Sequence, residues 1–141
     1  MSKQRNVVIY SAPPDHINSG AYQLMLRLDQ DTVIHIGALG ERKFSAGVYV
    51  YTGRASRYLG RRLRRHLSKE KSLRWHIDYL LQYAHIFSIR IFPFAAGEEC
   101  AINDETLSKS HCSIPVLGFG SSDCSCRSHL LQVEDETLLG V

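Results

Sequence analysis

The nine residues Gly20–Leu28, "GAYQLMLRL", constrain the fold more than any other stretch of this chain. Side chains two apart in a strand share a face, so Tyr22, Leu24, Leu26 and Leu28 form one apolar row. The polar turn "DQD" and the run "TVIHIG" follow at once, which predicts a hairpin. An earlier strand is expected over Val7 to Tyr10, cut off by the turn-rich "SAPPDHINSG", and another over Val48 to Thr52 after "GALGERKFSAG". Strands this close in sequence, separated by turns, favour antiparallel pairing.

The pattern then changes period. Leu59, Leu63 and Leu67 recur every four residues and predict a helix. Ser72 is a candidate cap for a second helix, "LRWHIDYLLQYA", with Trp75, Tyr79 and Tyr83 on one side. "IFSIRIF" alternates as a strand, "GEECAINDETLSK" reads as a short helix, and "SIPVLGFGSSDCSCRSHLLQV" as a loop leading into a strand. "EDE" then opens an acidic tail. The expectation is one α/β domain over residues 1–141: a small, largely antiparallel sheet with helices packed on it.

Charge placement narrows the partner. From Arg54 to Arg74 nine Lys/Arg face one acid, Glu70, a local charge of +8, whereas the rest carries eight bases against thirteen acids, −5. A basic block on an otherwise acidic molecule suits a phosphate-bearing partner, nucleic acid above all, although an Arg-rich helix can also be a solvated face. No apolar run reaches membrane-spanning length and the N-terminus lacks a signal peptide's apolar core, so a cytoplasmic location is expected. The four cysteines would there stay reduced or bind metal.

The segment "GVYVYTGRAS" carries the first site candidates. Tyr49 and Tyr51 point to one side of the strand, and Gly53 permits a tight turn or the close approach of a ligand. On the helix that follows, Arg62 lies about 100° from the Leu63 stripe with His66 on the same side, toward the sheet near Tyr51, while Arg61 and Arg65 point to solvent. An arginine against the sheet can hold a phosphate through two charge-assisted hydrogen bonds. Arg54, Arg57, Arg61, Arg65 and His66 are the expected nucleic-acid contacts.

Taken in order, "GAYQL", "IGALG", "AGVYVYTGRA", "RRLRRHL", "WHIDYLL", "EEC" and "GFGSSDCSCRSHL" resemble the GIY-YIG nuclease superfamily. Within it they are similar to a little-characterised family found alone or joined to an endonuclease III-like DNA-repair glycosylase. The likeness spans about residues 20–130. It aligns the first signature word with Gly20-Ala21-Tyr22 and the second with Tyr51-Thr52-Gly53, where Ala21 replaces a larger apolar residue. The intervening "DQDTVIHIGALGERKFSAG" supplies an additional strand and loop.

What the resemblance implies is metal-assisted hydrolysis of DNA phosphodiesters. It places Tyr22 or Tyr51 beside the attacking water as base or orienter, Arg62 at the scissile phosphate, and a carboxylate on one magnesium or manganese ion. In "AAGEECA" that carboxylate is Glu99 in preference to Glu98; either can also be an idle acid at a helix start. A DNA-repair glycosylase partner is implied by the same likeness. The alternative reading is a nucleic-acid-binding module of this fold with little or no catalysis.

The segment "DCSCRSH" holds a second candidate. Cys124, Cys126 and His129, with Cys112 or His111 as the fourth ligand, suit a zinc site, although C-x-C is a less usual spacing than C-x-x-C. Reduced, buried cysteines are the competing reading, and a zinc-dependent hydrolase built on this segment is a third function class. Before it, "GFGSSD" can bend round a phosphate or simply make a turn, with Arg127 as a nucleic-acid contact. In "WHIDYLL", His76 and Asp78 sit two apart and do not face each other on a helix. His76 at the helix start can reach phosphate or a site water, but packing is the expected role of this word.

Overall fold

The computed structural model describes residues 6–109 and 111–134. Its elements in chain order are β1 (Val8–Tyr10), β2 (Gly20–Leu28), β3 (Thr32–His35), β4 (Glu41–Phe44), β5 (Gly47–Ala55), α1 (Leu59–Leu67), α2 (His76–Leu80), β6 (His85–Pro93), α3 (Glu99–Lys109), β7 (Cys112–Ser113) and β8 (Leu130–Val133). Six strands form one sheet in the order β1-β6-β2-β5-β8-β7, and every pairing in it is antiparallel. The expected α/β architecture with a small, mostly antiparallel sheet is therefore observed.

The pairing of β2 differs from the sequence expectation. It does not turn back onto β3; its neighbours are β5 and β6, with Tyr22 opposite Gly53 and Leu24 opposite Tyr51. The turn "DQD" leads instead into a separate two-stranded sheet, β3 with β4, where Thr32 faces Phe44 and His35 faces Glu41. The insertion is thus a complete hairpin, two strands where one strand and a loop were expected. Its apolar side, Ile34, Ile36 and Phe44, is buried in the main core.

The sheet is covered on both faces, which explains why β2 is buried at nearly every position. One face presents Tyr22, Leu24, Leu26 and Leu28 to α1, α2 and the hairpin. The other presents Ala21 to Ile102 of α3, and Met25 to Val48, Val50 and Val133. Gln23, polar and 1% exposed, is satisfied by Thr52 at 3.1 Å and Thr106 at 2.8 Å.

The first helix spans its expected leucine stripe, but the second is shorter than its apolar pattern suggests. Leu59 and Leu63 are fully buried, but Leu67 is exposed and His66 takes the inner place in the last turn. The second helix begins at His76, not after Ser72, because Asp78 accepts the backbone N–H groups of Arg74 and Trp75 at 2.9 Å each. Tyr83 lies beyond that helix and is exposed. Most of the expected acidic tail falls at 135–141, outside the described residues. Among the described residues no helix is long and apolar enough to cross a membrane.

Candidate active site

A cavity of about 260 Å3 opens where β2 and β5 meet the helices, and Tyr22, Tyr51, Arg62 and Glu99 all line it. Strand pairing puts the two tyrosines on one face, and the first turn after β5 brings Arg62 over them. Glu99 enters from the start of α3. Trp75, His76 and Asp123 complete much of the rim.

Gly53 is required by the protein itself. A Cβ there would lie 2.6 Å from Cζ and Oη of Tyr22, so the missing side chain lets the Tyr22 ring cross its partner strand. The Tyr22 hydroxyl meets Nε2 of buried His66 at 2.7 Å. Burial pushes the Tyr22 phenol up, and the neighbouring Arg62 guanidinium only partly restores it. Tyr51 is raised for the same first reason, with the charges of Tyr22 and Glu99 adding to it. At neutral pH both are hydroxyls, able to donate and accept hydrogen bonds.

His66 is held neutral, its pKa pushed from 6.5 down to about 3 by burial and then by the Lys71, Arg62 and Arg65 cations. Its Nδ1 is buried without a hydrogen-bond partner among the described residues. Arg62 donates to the Arg54 carbonyl at 2.9 Å and lies 4.7 Å over the Trp75 ring. Those contacts hold the guanidinium itself at the cavity wall. His76 accepts the Gly120 N–H at Nδ1, 2.8 Å, so the neutral ring carries its proton on Nε2. Burial lowers its pKa as well.

Glu99 is half-buried, with its side chain 18% exposed, and Arg54 Nε is 3.8 Å from its Oε1. Burial raises its carboxyl above the usual range, opposed first by His129 and then by Arg54. Directly after it, Cys100 joins Cys124, Cys126 and His129 in a group whose donor atoms all lie within 4.8 Å of one another. Three sulfurs and a nitrogen so placed can hold a metal ion.

A family model described as "Domain of unknown function DUF123" matches residues 21–139, most of the chain. The chain belongs to that family. No curated protein and no solved structure matches it.

Within this DUF123 chain, the four residues that the sequence reading assigned to chemistry are brought into one cavity from four separate elements. The basic contacts divide. Arg54, Arg57 and Arg61 are exposed, the last two stacked on Tyr58 at 5.7 and 5.0 Å. Arg65 does not point to solvent: it makes two 2.9 Å bonds to Asp78, because the start of α2 passes beside it. His66, expected as a nucleic-acid contact, is 2% exposed beneath Tyr22. Glu98 belongs to a 3-10 turn before α3 and does not line the cavity.

The metal group also corrects the sequence. Its fourth member is Cys100, whereas Cys112 pairs in β7 opposite Val133 and neither it nor His111 belongs to the group. His76 does both things its place at a helix start allows: it packs against Phe119 with ring centroids 5.6 Å apart and lines the cavity.

Proposed function

We propose that this protein is a GIY-YIG-type endonuclease that hydrolyses DNA phosphodiester bonds with magnesium or manganese, in DNA repair. The observation that carries the reading is the convergence of Tyr22, Tyr51, Arg62 and Glu99 in one cavity flanked by exposed arginines. Two of these residues come from paired strands and two from helices on different parts of the fold, so proximity in sequence does not account for it.

The donors there suit a hard cation: a carboxylate and two phenol oxygens, in a cavity roomy enough for water. Glu99 would hold the ion, which supplies positive charge to the phosphate oxygens. Arg62, anchored by the Arg54 carbonyl and Trp75, stabilises the charge that grows on the same oxygens. The raised phenols of Tyr22 and Tyr51 favour their service as orienters of the attacking water over service as ground-state bases. His76, with its proton on Nε2, lines the same cavity and can hydrogen-bond a phosphate oxygen there. Arg54, Arg57 and Arg61 supply the sequence-independent grip on the backbone.

One contact favours a second reading. Arg54 lies 3.8 Å from Glu99, so the carboxylate has a cation already and the cavity can serve a nucleic-acid-binding module without catalysis. Cleavage of branched, damaged, single-stranded and duplex DNA with magnesium, manganese or chelator separates the two. Metal-dependent cutting of at least one substrate is expected. Tight binding with no cutting under either ion selects the binding module. A DNA-repair glycosylase as working partner belongs to the same proposal and is tested by its stimulation of cutting at a damaged site.

A further inference from the structure

Three thiols and one imidazole meet beside the cavity, from parts of the chain that are distant in sequence. Cys100 comes from the first turn of α3, Cys124 and Cys126 from the preceding loop of β8, and His129 from the residue before that strand. The His129 ring shows what they are arranged around. Its Nδ1 lies 3.0 Å from the Thr52 carbonyl oxygen, which can only accept, so Nδ1 carries the ring proton. The bare Nε2 then directs its lone pair at Cys124 Sγ, 3.3 Å away, and Cys100 Sγ, 3.7 Å away.

The two nitrogen–sulfur separations bracket the one a tetrahedral ion imposes: with Zn–S near 2.3 Å and Zn–N near 2.0 Å, sulfur and nitrogen ligands stand about 3.5 Å apart. All four donor atoms lie within 4.8 Å of one another. A histidine ligand that gives its other N–H to a backbone carbonyl is also the usual outer support of a zinc site. His129 is 1% exposed, so the ring has no freedom to turn toward solvent instead.

The geometry points to a structural zinc centre formed by Cys100, Cys124, Cys126 and His129. Zinc enters as a dication, the thiols lose their protons to solvent, and no oxidant is needed. All four positions are taken by protein, which leaves no open position for water or substrate and separates this centre from the hydrolytic one. Its work is to staple the start of α3 to the loop that forms the cavity rim, and through Thr52 to β5. Glu99 directly precedes Cys100, so the staple also fixes the carboxylate. The zinc centre does not depend on the nuclease reading and survives its failure.

The full chain, free of any metal-binding tag and kept reduced, is to be assayed by plasma emission spectrometry and zinc X-ray absorption. About one zinc per chain is expected, with three sulfurs and one nitrogen in its first shell. Cobalt reconstitution should give a thiolate charge-transfer band with the intense visible absorption of a tetrahedral ion. Zinc content should fall at least about tenfold in Cys124→Ser and Cys126→Ser and stay unchanged in Cys112→Ser. If the ligand variants precipitate, the wild-type absorption and cobalt spectra still decide. Reduced wild type that takes up neither zinc nor cobalt, a first shell of oxygen and nitrogen alone, or Cys124→Ser that retains full zinc would overturn the centre.

Discussion

At the scale of single residues, the pair Tyr22 and Gly53 gives the glycine a packing reason beside its place on the cavity wall. Sequence suggests that the glycine permits a tight turn or the close approach of a ligand; the space it leaves is filled by a tyrosine from the neighbouring strand. Gly53→Ala should therefore destabilise the fold by about 1–3 kcal/mol through overpacking, measured by urea denaturation. His66 carries a pH prediction. The folded ring refuses a proton that the unfolded chain accepts, so stability should fall as pH drops from 6.5 toward about 3. From this one group the slope approaches about 1.4 kcal/mol per pH unit, and His66→Gln should remove that part of it. A slope unchanged in the variant would mean that His66 is not held neutral.

At the scale of elements, α1 and α2 are held together by one carboxylate. Asp78 is fully buried and accepts two bonds from Arg65 and two backbone N–H groups at the start of α2. Asp78→Ala strips all four and should cost about 3 kcal/mol, toward the lower end for a broken buried pair because the Arg65 side chain is 24% exposed. A loss below about 0.5 kcal/mol in thermal unfolding would show that the pair contributes little. The elements were largely legible in the sequence, since period two and period four mark β2, β5, β6 and α1 without ambiguity. Their pairing was not: a tight polar turn looks like a hairpin between β2 and β3, and only the core decides that β5 and β6 flank β2 instead. Asp78 was hidden for a related reason, because helix spacing says nothing about a side chain that caps its own helix while binding the previous one.

At the scale of the whole molecule, the cavity residues carried by short words were legible, and the groups assembled by tertiary contact only in part. Tyr22, Tyr51, Arg62 and Glu99 announce themselves in short words, whereas Cys100 joins Cys124, Cys126 and His129 only because α3 packs beside the loop before β8. Arg65 looks like a surface cation until α2 closes beside it, and His66 like a nucleic-acid contact until the sheet covers it. The exposed block that remains gives a prediction for the intact protein. DNA affinity should fall with rising salt, and Arg57→Ala with Arg61→Ala should flatten the log–log slope by about 2 without changing sequence preference. The most direct test of the cavity is the single-turnover cleavage rate of Arg62→Ala against wild type on the DNA cut best, with both folds checked by circular dichroism. A rate at least about 100-fold lower at saturating enzyme is predicted; a rate within about twofold of wild type would contradict the placement of the scissile phosphate at Arg62.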